Sequence, residues 1–412
     1  MTTPPLPTAL GHIRVLDLSR VLAGPWCSQN LADLGADIIK IERPGSGDDT
    51  RAWGPPYARD AAGANTTEAA YYLAANRGKR SVTCDIASSE GQALVRELVA
   101  QSDVVLENFK VGHLARYGLD YATLKAIKPD LVYCSVTGFG QDGPYAHRAG
   151  YDFLIQGMGG FMSITGERDD LPGGGPQKAG VAIVDLMTGM YATVAILAAL
   201  THRDRTGEGQ HIDMALLDVQ VAMLANMASN YHTTSVAPKR FGNAHANIVP
   251  YQTFACQDGH IIVATGNDSQ YVKFVEAGDC PELAHDERFA SNPQRVKNRA
   301  VLVPLLAAMV ARHDRASWIA RLEAVGVPCG PINDIADVFD NEQVIARGIA
   351  IDLPHPTAGK VTLVRSPMKM SATPVGASTA PPLLGQHTDE VLGEVLGRSA
   401  EQIAALRQRG VV

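Results

Sequence analysis

The chain has no surplus of positive charge: 36 Lys and Arg stand against 43 Asp and Glu in 412 residues, a formal charge of −7. A nucleic acid or an anionic membrane is therefore not expected as the main partner, and any phosphate site has to be a local cluster of cations. Cysteine is sparse and dispersed. The six (Cys27, Cys84, Cys134, Cys256, Cys280, Cys329) form no C-x-x-C pair, and no His cluster has zinc spacing. Neither a disulfide framework nor a metal centre is expected, and reduced thiols in a cytoplasm fit best. The longest apolar run, Gly189 to Leu200, falls short of the roughly 20 residues that cross a bilayer. The opening MTTPPLPTALGHI has no basic segment followed by an apolar core, so no secretory leader is expected. There is also no internal repeat, and no Walker G-x-x-x-x-G-K-[ST] loop to hold nucleotide phosphates.

What is present is a chain with 46 % hydrophobic residues, ample for globular cores at a length of about two to three domains. Ile13 to Arg51, IRVLDLSRVLAGPWCSQNLADLGADIIKIERPGSGDDTR, reads as strand, turn, helix, strand and a charged, Gly-rich loop. Ile13, Val15 and Leu16 suit a buried parallel strand, and Pro25 suits a first helical turn, where a missing N–H costs nothing. Gly35 ends that helix, and Asp37 to Glu42 is the next strand. Ser81 to Ile86, Asp103 to Glu107 and Leu131 to Val136 read as further strands, with a helix over Glu90 to Val99 between them. This is α/β alternation.

The apolar run Val181 to Val184 looks strand-like and meets a long helix after Asp185, closed by Gly207 and Gly209. A second helix is expected over Leu216 to Tyr231. Two strands, Tyr251 to Cys256 and His260 to Ala264, flank the turn Gln257-Asp258-Gly259, and helices follow to about Val325. The expected organisation is a large domain over 1–232, a linker over 233–250, a small domain over 251–330 and a return to the large domain over 331–412. Gly138-Phe139-Gly140-Gln141-Asp142-Gly143 spells a dinucleotide fingerprint, but Pro144 follows at once and no acidic residue ends a next strand at the right distance, so it is read as a turn.

The opening motif, Leu106-Glu107-Asn108-Phe109, Tyr133 to Gly140, Asp185 and the tail Leu384-Gly385-Gln386-His387-Thr388 closely resemble family III CoA-transferases over the whole chain. That is the formyl-CoA transferase or CaiB/BaiF group, whose members move coenzyme A between carboxylic acids. The resemblance implies an α/β fold with a Rossmann-like large domain, a smaller α+β domain and an interlocked, ring-like homodimer. Acyl-CoA would be a substrate, with no permanently bound cofactor. The segments RVLAGPW, RPGSGDDTRAWGPP, YCSVTGFGQDGP, RAGYD, RFGNAHANIVPYQ and GPIND are most similar to the succinate–hydroxymethylglutarate CoA-transferase type, which implies succinyl-CoA as donor and a small dicarboxylic acid as acceptor.

On local pattern alone Asp185 could be a helix N-cap. The resemblance makes it the nucleophile, forming an aspartyl anhydride and then an aspartyl-CoA thioester. For CoA, the resemblance and the chemistry of phosphate binding point to Arg43, Lys79, Arg80 and Arg116, with Asn108 and Phe109 along the nucleotide and a backbone contact at Leu22. Glycines that allow close backbone approach, Gly159, Gly160 and Gly242, are oxyanion-site expectations. Tyr151 and Asp152 would line the site, and Arg240, His245 and Arg148 are cations for a remote carboxylate. The rival within the family is an alpha-methylacyl-CoA racemase-type isomerase, which uses a Gly-His-Asp motif. Here Gly150-Tyr151-Asp152 puts a phenol of pKa about 10 where an imidazole near 6.5 would shuttle the proton. A non-catalytic CoA-binding protein is the rival from another class, and the presence of Asp185 weighs against it.

Overall fold

In the computed structural model, residues 8–376 and 379–412 are described. They divide into two compact units. One comprises the segment ending at Gly160 together with Ala179–Ser229 and Gln343–Val412, and the other comprises Phe161–Lys178 and Asn230–Glu342. The sequence-based segmentation had drawn the smaller domain as 251–330.

The first unit is built on six parallel strands: β1 (Arg14–Asp17), β2 (Asp37–Glu42), β3 (Lys79–Thr83), β4 (Val104–Glu107), β5 (Val132–Thr137) and β6 (His211–Ala215), in the order β3-β2-β1-β4-β5-β6. The order reverses between β1 and β4, which opens a crevice at the carboxyl ends of the strands. Successive side chains alternate between two cores, as the period of an extended strand requires. Leu16, Ile39, Val105 and Tyr133 face one layer of helices, while Val15, Ile38, Val104 and Cys134 face the other.

Helix α1 (Ala23–Asp33) follows β1 and ends at Gly35, whose φ of 101° is left-handed. Helix α2 (Ser89–Ala100) buries Leu94, Val95, Leu98 and Val99 on the first face, and the hydroxyl of Ser88 caps it by accepting from the N–H of Gly91. A short helix α3 (Asp152–Met158) precedes the longest one, α4 (Ile183–Thr206), which lies on the second face against α1. By length and mean hydropathy (1.8) α4 has the character of a membrane span, but half of its apolar window is buried within the fold. Gly189 permits the close crossing of α4 and α1: a Cβ there would stand 2.7 Å from the carbonyl oxygen of Ala23 and 3.0 Å from Trp26.

Three expectations change. The run Val181 to Val184 is not a strand, because Ile183 already begins α4, so Asp185 lies in the first turn of the helix. The helix expected over Leu216 to Tyr231 is interrupted. It forms as α5 (Leu216–Ala222) and a separate helix Ala225–Thr234, whose first residue, Ala225, has a left-handed φ of 44° that breaks the helical path. The edge strand β6, partly exposed and polar at His211 and Asp213, had escaped notice because it lacks an apolar run.

The second unit holds an antiparallel sheet of β7 (Tyr251–Cys256), β8 (Gly259–Ala264) and β9 (Cys329–Gly330), with β8 in the middle. Phe254, Ile261, Val263, Phe274, Trp318 and Leu322 form its core. The fully buried Arg295 is satisfied by the carbonyls of Val249 (2.7 Å) and Phe289 (2.9 Å) and by Asp268 (2.6 Å).

Candidate functional site

A cavity of about 660 Å³ opens at the carboxyl ends of the parallel strands, lined from the loops after β1 (Arg20, Val21, Leu22), β2 (Arg43, Ser46, Asp49), β3 (Asp85, Ile86) and β4 (Asn108, Phe109, His113). The segment after β5 adds Arg148 and Tyr151, and α4 adds Asp185. All belong to the first unit.

Asp185 is buried, and among the described residues no hydrogen bond or ion pair reaches its carboxyl oxygens. The free N–H groups of the first turn of α4 are taken by Asp152 instead, whose Oδ1 accepts from Val184 (2.8 Å) and Asp185 (3.4 Å). The other oxygen of Asp152 accepts from Gln156 (2.6 Å), whose amide oxygen in turn accepts from the N–H of Ala179 (2.8 Å). Burial, and then the like charge of Asp152, push the Asp185 carboxyl up to about 7. Tyr71 stands near both carboxyls: burial first, then Asp185 and Asp152, push its phenol up, and its ring meets Trp53 edge-on at 5.1 Å.

The floor of the cavity is a buried ionic layer. Asp17 accepts from the hydroxyls of Ser19 and Ser28 (2.5 Å each) and pairs with Lys79 (3.4 Å). Lys40 donates to Asp48 (2.9 Å) and to the carbonyl of Ser19 (2.8 Å), and Glu42 holds Arg51 through two bonds of 2.7 Å. Burial opposes these charges, but the partners of the carboxylates win: Asp17 stays below the usual carboxylate range, and Asp48 is held at about 2, whereas burial brings Lys79 down to about 8. Asp48 also accepts from the N–H of Val21, a β-branched residue at a left-handed φ of 72°. That strained position fixes the backbone just ahead of Leu22.

Several expected CoA contacts face this cavity. Leu22, Arg43, Asn108 and Phe109 line it, and Arg43 is exposed. Asn108 is clamped to the backbone of Arg20 by bonds of 2.9 and 2.7 Å. Phe109 stacks on His113 (5.5 Å, 6°), with the guanidinium of Arg20 over its ring at 5.5 Å. Together they form a contiguous aromatic and cationic patch on the cavity wall. Arg20, although it opens the RVLAGPW segment, was not singled out by sequence reading, and neither were His113 and Tyr71, which lie in no quoted motif.

Other expected residues are engaged elsewhere or lie outside the cavity lining. Lys79 is fully buried, with its ammonium on Asp17, the carbonyl of Pro25 (2.9 Å) and Asn76 (2.9 Å), so it has no donor to offer a phosphate. Its neighbour Arg80 points to the opposite face, where it pairs with Asp37 (2.6 Å) and Glu390 (3.2 Å). Arg116 is exposed, but only its neighbour Tyr117 lines the cavity. The N–H of Gly159 is spent on the carbonyl of Ile155 (2.7 Å) and cannot stabilise an oxyanion, and Gly160 does not line the cavity.

Arg240, Gly242 and His245 belong to the second unit. There Arg240 is already paired with Asp169 and donates to the carbonyls of Glu167 and Ser163 (3.2 Å each). Gly242 packs on the Glu167 carboxylate, and Nδ1 of His245 accepts from the N–H of Asn247 (3.0 Å).

The model of CoA-transferase family III matches residues 10–388. The succinate–glutarate CoA-transferase of Agrobacterium fabrum is 50 % identical over 94 % of this chain and 95 % of its own length, and the human succinyl-CoA:glutarate CoA-transferase is 42 % identical over 98 % and 90 %. Among solved structures, a CaiB/BaiF family protein from Brucella suis aligns with a TM-score of 0.81 at 52 % identity, covering 93 % of this chain and 98 % of that one. With a family match over nearly its full length and relatives this similar, the chain belongs to the family III CoA-transferases, enzymes whose substrates are CoA thioesters.

Proposed function

We propose that this enzyme moves CoA from succinyl-CoA to glutarate or a similar small dicarboxylate, with Asp185 as the nucleophile. The observation that carries the reading is the Asp185 carboxyl in the cavity, which among the described residues has neither a cation nor a hydrogen bond, whereas the buried Asp17, Asp48 and Glu42 are ion-paired and Glu107, also pushed up by burial, accepts from the N–H of Phe109 (2.7 Å). The relatives named for succinate and glutarate support the substrate class. The strand order β3-β2-β1-β4-β5-β6 supports a Rossmann-like description of the first unit.

The chemistry follows from a carboxylate in that place. An Asp185 oxygen attacks the thioester carbonyl, a C–O bond forms, the C–S bond breaks, and CoA leaves as thiolate from a mixed anhydride. The thiolate attacks the aspartyl carbonyl and releases succinate, leaving an aspartyl-CoA thioester. The acceptor carboxylate attacks that thioester, and the expelled thiolate then takes the acceptor acyl group and restores Asp185. No proton is gained or lost overall, and the thioester energy is retained. A raised carboxyl pKa suits this role, since a more basic carboxylate is the better nucleophile once ionised.

The working form is a homodimer in the same proposal. Met190, Tyr191 and Val194 stand 38, 43 and 60 % exposed on the outer face of α4, an apolar strip suited to a second copy. A cytoplasmic setting accords with six free thiols. The test is to incubate the enzyme with succinyl-CoA and a panel of mono- and dicarboxylates and to resolve the CoA esters by mass. Wild type should form glutaryl-CoA or a close analogue, and Asp185→Ala should lose at least about 1,000-fold in rate, as expected for removal of a covalent nucleophile. Ester formation undiminished in Asp185→Ala would remove Asp185 from the mechanism.

A further inference from the structure

We infer that Arg148 is the specificity-determining cation of this site and pairs with the remote carboxylate of the dicarboxylate, an inference that rests on the transferase reading above. Arg148 lines the same cavity as Asp185. Its guanidinium lies over the rings of Tyr145 (4.6 Å) and Phe139 (5.2 Å), which themselves meet edge-on at 5.6 Å. Stacking of this kind orients the planar fork while leaving its N–H groups for an anion, and a guanidinium fork matches a carboxylate through two parallel bonds.

Among the described residues no carboxylate pairs with Arg148, whereas other arginines near the strand ends are engaged: Arg20 with Asp49 (2.8 Å) and Arg51 with Glu42 (2.7 Å). Arg240, the alternative in the second unit, is already held by Asp169.

Arg148 stands on a different loop from the other unpaired cations of the cavity. Arg43 and Lys110, the other exposed cations without a carboxylate partner here, stand on the loops after β2 and β4. Arg148 is four residues before Asp152, whose carboxylate is bonded to the N–H of Asp185, so their Cα atoms are at most about 14 Å apart by chain reach. The intervening backbone is pinned: a Cβ on Gly150 would stand 2.6 Å from the Cα of Gly138. That connectivity keeps Arg148 on the segment that reaches Asp185, in the cavity both residues line, as pairing with the second carboxylate of a short acid requires.

The test compares glutarate with valerate, the five-carbon monocarboxylate, as acceptors from succinyl-CoA in wild type, Arg148→Met and Arg148→Lys, and measures free-CoA affinity by titration calorimetry. Arg148→Met should lower kcat/KM for glutarate about 10- to 100-fold with little change for valerate, the range expected for losing a charge-assisted pair. Arg148→Lys should recover part of the preference, and free-CoA affinity should be unchanged. A glutarate-to-valerate ratio equal to wild type would overturn the inference. So would a parallel loss for both acceptors together with weaker CoA binding, which would place Arg148 on a CoA phosphate. If wild type transfers CoA to no acid at all, the transferase reading falls and the inference with it.

Discussion

Two sets of buried carboxylates lie around the cavity and are treated in opposite ways. In the layer beneath it, Asp17, Asp48 and Glu42 each have a cation and further hydrogen bonds, and remain ionised although deeply buried. Asp185, buried at the cavity wall, has no cation and a like-charged neighbour, and is pushed up to about 7. Glu107, also buried without a cation and likewise pushed up to about 7, still holds the N–H of Phe109 (2.7 Å), whereas no bond reaches the carboxyl oxygens of Asp185. Burial raises Asp185, the nucleophile proposed above, and paired charges supply the rigid floor that holds the strand-end loops.

The largest effect that could break this comparison is on the floor. Lys79→Met should strand Asp17 and cost about 3–5 kcal/mol of stability, read as a fall in denaturation midpoint, with CoA affinity of the folded enzyme little changed. Unchanged stability with weakened CoA binding would return Lys79 to the ligand site.

At Asp185 the sign reverses. Its folded pKa lies above the unfolded value of 3.8, so the folded state holds the extra proton. The cost of ionisation then grows as pH rises from about 4 to 7 and is constant above. Asp185→Asn should therefore be inactive yet more stable than wild type at pH 8, by about 2–4 kcal/mol. That gain should vanish near pH 4, and urea denaturation at both values checks it.

The smallest effect sharpens the picture. Asp152→Asn keeps an oxygen for the N–H groups of α4 but removes the like charge, which ranks second to burial as a cause of the Asp185 shift. Activity needs the carboxylate and should rise with pH through about 7 in wild type. In the variant this acid limb of kcat/KM should move down by roughly half to one pH unit. A limb that stays in place would mean that burial alone sets it.

Much of this was legible because it is local. The strand over Asp37 to Glu42 shows as an isoleucine-rich run, Ile38-Ile39-Lys40-Ile41, Gly35 marks the end of α1, and the loop carrying Arg43 follows the strand directly. Asp185 was legible through its motif, although its preceding run was misread as a strand. Periods of two and 3.6 cannot be told apart over four apolar residues, and here the helix had already begun. Lys79 and Arg80 looked alike as adjacent basic residues. The alternation of β3 sends one inward to Asp17 and the other outward to Asp37.

By itself the sequence determined the family, the parallel α/β core, the strand-end loops and the identity of the one carboxylate to be tested first, because each is written in contiguous residues. Only the tertiary structure decided which charges are spent and which remain available. Asp17 meets Lys79, and Asp185 meets Asp152, across long stretches of chain. Whether a carboxylate is neutralised or left reactive depends on what the fold places within a few ångströms of it, and no local pattern records that distance.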